Sequence, residues 1–145
     1  MRAVVQVASE AVVEVDSKTV GALDAPGLVI LLGITHDDDQ AAARKVAEKI
    51  WRLRILRDET SAEASNAPLL VVSQFTLYGS VRKGRRPSWS EAAPGPVSEP
   101  LYEYFISYLR ELGATVATGV FGAMMDVKLT NSGPFTVIVD SADLA

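Results

Sequence analysis

The stretch Leu69-Leu70-Val71-Val72-Ser73-Gln74-Phe75-Thr76 changes from apolar residues to small polar side chains within a few positions. An apolar run that ends this way predicts a strand that leads directly into a polar turn. Leu28 to Ile34 is a second, nearly all-apolar run, which is typical of a buried strand. Valine-rich segments at Val4 to Val7 and Val12 to Val15 precede it and are joined by a turn at 16–18. The sequence therefore predicts a fold built mainly from strands.

Two helices are predicted beside these strands. The first begins near Asp37-Asp38-Asp39, because acidic side chains suit the positive end of a helix and can accept from its free N–H groups. Its apolar stripe comprises Ala43, Val46, Ala47, Ile50 and Trp51. The second helix runs from Ser98, as the N-cap, to Leu112, and Gly113 ends it. Its predicted inward residues are Leu101, Phe105, Tyr108, Leu109 and Leu112.

The remaining segments predict short strands and two loops. Strands are expected at 53–56, 115–118, 126–130 and 135–139, with a weaker candidate at 20–23. Segments 58–68 and 79–96 are predicted loops, and the second of these is long enough to suggest a functional role. We expect a single α+β domain over residues 1–145, with a curled, antiparallel-rich β-sheet or barrel and two main helices packed outside.

Composition restricts the chemistry available to this chain. It has no cysteine and one histidine, so disulfides, thiolate nucleophiles and cysteine-based zinc sites are excluded. No metal or other cofactor is expected. The formal net charge of -4 argues against nucleic-acid binding through the whole surface, although a local basic site remains possible. No apolar run resembles a signal peptide or a spanning helix, so a cytoplasmic protein is expected.

The segment Ser73-Gln74-Phe75-Thr76 allows two interpretations. Small hydroxyls and an amide at a strand end are common in ordinary turns. Alternatively, successive N–H groups and the hydroxyls of Ser73 and Thr76 surround an oxyanion or a ribose. Without a strong nucleophile, an enzyme of this composition would act by holding a reactive substrate.

Asn131-Ser132-Gly133-Pro134 separates two strand-like runs and also allows two interpretations. All four residue types favour a plain β-hairpin turn. The functional alternative is a Gly-Pro tip whose carbonyl groups project into a pocket. The sequence leaves open whether the Gly133–Pro134 bond is cis.

Three further groups of residues are ambiguous. Arg82 to Arg86 holds four cations in five positions and is either a solvated loop or, with Trp89, a site for phosphates and a stacked base. His36 is interpreted as a solvated or capping residue, and the aspartates beside it do not converge on one metal ion. Met124-Met125 is either core or the lining of an adaptable apolar pocket.

Taken together, these segments resemble the D-aminoacyl-tRNA deacylase family. The matching pieces are Val71 to Leu77, Lys83 to Trp89, Phe121-Gly122-Ala123 with Met125, and Asn131 to Thr136. Their order and spacing agree across nearly the whole chain, including Leu28 to Gly33 and the acidic helix start. Four linked motifs in order are specific, whereas one alone would not be.

The resemblance implies an enzyme of translation proofreading that hydrolyses the ester between a D-amino acid and the terminal adenosine of tRNA. Glycyl-tRNA is also implied as a substrate. The implied catalytic residues are Ser73, Gln74, Phe75 and Thr76; the implied substrate-binding residues are Gly133, Pro134, Met125, Phe121 and Trp89; the implied tRNA contacts are Lys83, Arg85 and Arg86. The family also implies a homodimer in which the partner inserts its Gly-Pro tip into the active site. For Thr76 we favour a positioning role over a nucleophilic one, because no neighbouring base could activate it.

Three departures from the family pattern bear on selectivity. Val7 stands where an arginine that helps to hold the tip is common, and Ser132 stands where an aspartate is usual. The 58–68 loop is shorter than usual and lacks a Met-Asn pair. A deacylase with relaxed chirality towards small L-residues is therefore one alternative. A non-catalytic module that binds RNA 3′ ends and a hydrolase of small esters are the others.

Overall fold

The computed structural model describes all 145 residues. In chain order, the strands and helices are β1 Arg2–Val15, β2 Lys18–Ala22, β3 Gly27–Gly33, α1 Gln40–Arg52, α2 Ala62–Ser65, β4 Leu69–Ser73, α3 Gly95–Glu111, β5 Val116–Thr118 and β6 Asp126–Asp140. Short 3₁₀ turns occur at Arg57–Glu59, Phe75–Tyr78 and Ser141–Asp143. The predicted α+β class is confirmed.

The strands form one curled, mixed sheet in the order β2-β1-β3-β4-β5, with β6 along β1. β1 is antiparallel to β2, β3 and β6, whereas β3–β4 and β4–β5 are parallel pairs. The two ends of the sheet nearly meet: a Cβ added to Gly21 of β2 would lie 2.2 Å from the carbonyl oxygen of Thr118 in β5. Only glycine permits this approach, which almost closes a barrel.

Both faces of β3 and β4 are buried, which explains why these strands are apolar throughout. One face packs towards the helices in a cluster of 25 buried residues, to which β3 contributes Leu28, Ile30 and Leu32. The other face fills the barrel interior, where Val29, Leu70 and Val72 lie. The polar residues that follow β4 are therefore attached to strands that are buried on both faces.

The helix boundaries follow from their caps. Asp39 caps α1 by accepting from Ala42 N at 2.9 Å, as the acidic helix start predicts. α3 begins at Gly95, three residues before the predicted N-cap Ser98, because a proline without an N–H fits the first helical turn. Ser98 instead donates through its side chain to Pro94 O at 3.1 Å. The inward face of α3 also differs from the prediction, since it buries Ser98, Tyr102, Phe105, Ile106 and Leu109.

Segment 53–56 does not form the predicted strand. Leu56 instead makes an isolated bridge with Thr60, and its N–H reaches the Thr60 carbonyl at 2.9 Å. Because Leu56 pairs with a residue four positions away and not with a strand of the sheet, the chain turns back on itself here. The predicted 58–68 loop contains α2, whose N-cap Ser61 accepts from Ala64 N at 3.0 Å.

The two predicted strands at 126–130 and 135–139 are parts of one long strand, β6. Pairing with β1 runs from Asp126, opposite Glu14, to Asn131, opposite Ala8, and resumes at Thr136, opposite Gln6. Both parts run in the same direction along the same partner, so the hairpin-turn interpretation is wrong. Residues 132–135 leave the ladder as a bulge, which we call the Gly-Pro tip.

Candidate active site

Residues Ser73 to Thr76 lie where the parallel strands β3 and β4 end. Gln74 N donates to Leu32 O at 2.8 Å and ties the end of β4 to β3. The chain then forms the 3₁₀ turn Phe75–Tyr78, with Leu77 N bonded to Gln74 O at 3.2 Å. Polar residues thus emerge from a rigid sheet edge, which favours precise placement of a substrate.

Two main-chain donors lie at the start of this turn. No side chain caps the N–H groups of Phe75 and Thr76. The first N–H groups of a helical turn have no partner inside the turn, and such groups bind negatively charged oxygen. The oxyanion interpretation of residues 73–76 requires N–H groups in this position, and the role itself stays a prediction.

Two cavities meet at this segment. The larger, of about 340 Å³, is mostly apolar and is lined by Leu32, Ile34, Ser73, Gln74, Phe75, Trp89, Ala92, Ala93, Gly95, Ser98, Tyr102, Phe121 and Gly122. The smaller, of about 180 Å³, is lined by Val72, Ser73, Gln74, Phe75, Gly122, Ala123, Met125 and Val127. The shared residues are Ser73, Gln74, Phe75 and Gly122. A molecule with two parts can therefore place its junction beside the 73–75 segment.

Aromatic residues border the larger cavity. Phe75 is 56% exposed and meets Trp89 edge-on, with ring centroids 5.4 Å apart. Tyr102 packs against Phe121 at 5.8 Å and donates its hydroxyl to Val71 O at 2.9 Å. Burial raises the pKa of Tyr102, so its phenol remains a neutral donor. This cavity presents flat apolar rings at its rim, and the Tyr102 and Ser98 hydroxyls in its lining already donate to main-chain carbonyls.

The loop between β4 and α3 is anchored at several points. Ser80 and Ser88 exchange two main-chain hydrogen bonds of 2.8 Å, which close the cationic segment Arg82–Arg86 into an exposed lobe. His36 donates from Nε2 to Ser90 O at 2.6 Å. Its role as an anchor for this loop was not predicted, because the sequence does not show which distant carbonyl it meets.

The acidic residues beside His36 serve separate partners. Asp38 accepts from the amino group of Met1 at 2.6 Å and from Thr35 N at 2.8 Å. Asp39 caps α1. These contacts agree with the interpretation that the aspartates do not converge on one metal ion.

Side-chain amides hold the base of the Gly-Pro tip. Asn131 Nδ2 donates to Val7 O at 2.8 Å and to Phe135 O at 3.3 Å. Gln6 Nε2 donates to Thr136 Oγ1 at 3.1 Å. The Gly133–Pro134 bond is cis. Because Asn131 reaches a main-chain carbonyl, this contact does not depend on the side chain at position 7.

The fold brings together only part of the predicted site. Ser73, Gln74, Phe75, Met125, Phe121 and Trp89 line the two cavities, and Thr76 follows directly in the turn. Gly133 and Pro134 line neither cavity and are exposed. Lys83, Arg85 and Arg86 lie on the exposed lobe. Tyr102 and Ser98 also line the larger cavity, but the sequence did not predict this. Their positions on α3 are typical of an ordinary helix surface and an N-cap.

Known proteins with similar sequences share one description. The family model for D-Tyr-tRNA(Tyr) deacylase matches residues 4–140. The D-aminoacyl-tRNA deacylase of Cutibacterium acnes is 61% identical over 143 residues, covering 99% of both chains. That of Thermobifida fusca is 63% identical over 140 residues, covering 97% of this chain and 99% of the relative.

Solved structures show the same fold. The c-Myc DNA unwinding element binding protein superposes with a TM-score of 0.89 at 34% identity, over 97% of this chain and 98% of the other. A probable eukaryotic D-amino acid tRNA deacylase superposes with a TM-score of 0.82 at 19% identity, over 96% and 98% of the two chains. None of the helices here is both long and apolar enough to cross a membrane.

Sequence and fold agree along the whole chain, and the motif-based resemblance is confirmed. The chain therefore belongs to the D-Tyr-tRNA(Tyr) deacylase family and is a hydrolase of the D-aminoacyl-tRNA deacylase type.

Proposed function

We propose that this protein hydrolyses the ester of D-aminoacyl-tRNA at residues 73–76 and thereby proofreads translation. The reaction class follows from the family to which the chain belongs. The observation that carries the site is the meeting of two cavities at Ser73–Phe75, beside the N–H groups of Phe75 and Thr76, which no side chain caps. The products are the free D-amino acid and tRNA.

The reaction needs little side-chain chemistry. An aminoacyl ester is already activated, so holding it in place and stabilising the oxyanion can suffice. Water adds to the ester carbonyl and loses a proton, and the N–H groups of Phe75 and Thr76 bind the oxyanion. The C–O bond to the ribose then breaks as the ribose oxygen takes up the proton that the water lost. The neighbouring 2′-hydroxyl of the terminal ribose can relay this proton. Thr76 positions the turn in this scheme.

The two cavities suit the two parts of the substrate. The larger one, with Phe75, Trp89 and Phe121 at its wall, matches the flat adenine of the terminal nucleotide. The smaller one, with Met125, matches the aminoacyl group. Their shared Ser73 and Gln74 then lie beside the ester.

A homodimer would complete the site. The Gly-Pro tip lines neither cavity of its own chain. Strand β6 pairs with β1 along one edge, and no strand pairs with its other edge. Ile138 is 71% and Phe135 39% exposed beside that edge. These features support a second copy that inserts Gly133 and Pro134 into the smaller cavity, where their carbonyl groups hold the α-amino group and exclude an L side chain.

Cations of the 80–88 lobe would contact the tRNA backbone. Lys83, Arg85 and Arg86 are exposed and form no ion pair. Arginine and lysine at such positions bind phosphates without reading sequence. The lobe also distinguishes this proposal from a hydrolase of small esters, which would have no use for it.

Selectivity is the finer part of the proposal. Glycine has no side chain to exclude, so glycyl-tRNA should be a substrate. With Val7 and Ser132 in place of an arginine and an aspartate, a looser filter would admit small L-residues such as alanine. Restoring the pair in Val7→Arg/Ser132→Asp should then lower turnover of L-alanyl-tRNA while D-ester turnover is retained. Unchanged selectivity would contradict the looser filter.

Hydrolysis of matched D-aminoacyl-, L-aminoacyl- and glycyl-tRNA by the purified protein tests the function. Turnover of the D-ester and glycyl-tRNA alone supports a strict deacylase, whereas additional loss of the L-alanyl ester supports the relaxed alternative. No turnover of any ester, with retained tRNA binding, would favour a module that binds RNA 3′ ends.

A further inference from the structure

Arg2, at the start of β1, reaches across the sheet to the turn that follows the active-site segment. Its Nη1 donates to Leu77 O at 2.9 Å, and its guanidinium carbon lies 4.6 Å from the centroid of the Tyr78 ring. Its Nε donates to Asp140 Oδ2 at 2.8 Å. One planar guanidinium thus joins the end of β6 to two consecutive residues of the Phe75–Tyr78 turn.

This contact differs from every other hydrogen bond of the turn. The remaining bonds are main-chain bonds or, between Gln74 and Thr76, a bond within the segment itself. Arg2 is the only side chain from elsewhere in the chain that hydrogen-bonds to residues 75–78. A 3₁₀ turn has poorer hydrogen-bond geometry than an α-helix, so an outside partner matters more to its orientation.

The surroundings hold Arg2 in this pose. Asp140 is half-buried, and hydrogen bonds from Ala142 N and Arg2, with the charge of Arg2, outweigh burial and lower the pKa of its carboxyl. Tyr78 is buried beneath the guanidinium, and its phenol remains neutral because burial raises its pKa. If Arg2 moved with Asp140 away from the turn, its guanidinium would no longer contact the Tyr78 ring.

We propose that Arg2 is a positioning residue that sets the angle of the Phe75–Tyr78 turn and hence the direction of the Phe75 and Thr76 N–H groups. The proposal rests on the proposed function for its effect on rate. It acts through Leu77 and Tyr78 and not through contact with substrate. In the proposed reaction these N–H groups must lie within hydrogen-bonding distance of the ester oxygen, so a small rotation of the turn would misdirect both donors.

Arg2→Met tests this role, because methionine keeps much of the apolar part of the side chain and removes the guanidinium group that contacts Leu77 O and Asp140. We expect kcat for D-aminoacyl-tRNA to fall about tenfold while KM stays within about twofold. Arg2→Lys should recover only part of kcat, since a point charge cannot serve Leu77 O and Asp140 together. Arg52→Met is the matched control: it breaks an exposed ion pair between Arg52 of α1 and Glu63 of α2, and it should leave kcat unchanged.

Amide hydrogen exchange separates this inference from the proposed function. Exchange at Leu77 and Gly79 should accelerate in Arg2→Met and not in Arg52→Met, whether or not the protein turns over the ester. An inactive wild type with that exchange pattern would refute the function and keep the positioning contact. Unaltered exchange, or a kcat for Arg2→Met within twofold of an active wild type, would overturn the positioning role.

Discussion

Gln74 Nε2 donates a hydrogen bond to Thr76 Oγ1 across 2.5 Å, so the threonine hydroxyl is held by a donor within its own turn. A nucleophilic hydroxyl needs a base that accepts its proton, and an amide nitrogen cannot take that role. His36 is committed to Ser90 O on the neighbouring loop. The geometry favours Thr76 as a residue that shapes the turn.

Thr76→Ser should therefore retain nearly full activity, whereas Thr76→Val should lower kcat by roughly tenfold or less, the effect of one lost hydrogen bond of about 1 kcal/mol. Single-turnover deacylation of D-aminoacyl-tRNA measures this. A burst of acyl-enzyme in the wild type, together with abolished turnover in Thr76→Val, would instead identify a nucleophile.

Gly33 lies against the Phe75–Tyr78 turn of the proposed active site, and a side chain there should displace the turn. An added Cβ would lie 3.0 Å from Leu77 Cβ and 3.1 Å from Gln74 O. We expect Gly33→Ala to lower kcat at least several-fold and to cost roughly 1–3 kcal/mol of unfolding free energy.

Gly27→Ala is the matched control at the other end of β3, where the new Cβ would meet Pro68 O at 2.0 Å. It should lower the Tm at least as much while the folded protein keeps its kcat. Equal loss of kcat in both variants would show that general loosening of β3, and not the turn, limits activity.

Asn131 should govern how firmly the Gly-Pro tip is held. Removing its bonds to Val7 O and Phe135 O in Asn131→Ala frees the base of the bulge. We expect the ratio of D- to L-aminoacyl-tRNA hydrolysis to fall by roughly tenfold, about 1.4 kcal/mol of discrimination. The Ser132 side chain is exposed and forms no hydrogen bond with another residue, so Ser132→Ala should leave the ratio unchanged.

Neutralising Arg85 and Arg86 to glutamine should weaken tRNA turnover and reduce its salt dependence. Each lost phosphate contact lowers the slope of log affinity against log salt by about 0.7–0.9. Hydrolysis of a small aminoacyl ester should be unaffected. Neutralising the exposed Arg54 and Arg57 is the matched control. An unchanged slope in Arg85→Gln/Arg86→Gln would remove the lobe from the RNA interface.

The buried phenols predict sensitivity to alkali. Burial raises the pKa of Tyr78 and Tyr102, and nearby carboxylates add to this effect. The folded state thus keeps protons that the unfolded chain loses above roughly pH 10, so the free energy of unfolding should fall as pH rises beyond that value. Denaturant titrations of wild type and Tyr78→Phe measure this: the variant should lose less stability, and parallel curves would contradict the prediction.

Local sequence was sufficient for the features that depend on neighbouring residues. The apolar runs of β3 and β4 specify strands buried on both faces, and Asp39 marks the start of α1, because caps and burial act over a few positions. The position of Ser73–Thr76 at the end of a buried strand was likewise predictable, since this segment follows the apolar run of β4 directly.

Tertiary structure decided the features that depend on distant partners. The residues at 131–134 predict a hairpin in sequence, but residues 132–135 form a bulge because β1 is long enough to pair with both parts of β6. The contact of Arg2 with Leu77 spans 75 positions, and Asn131 meets Val7 across 124. Local propensity carries no information about such pairs, whereas sheet register brings them within hydrogen-bonding distance.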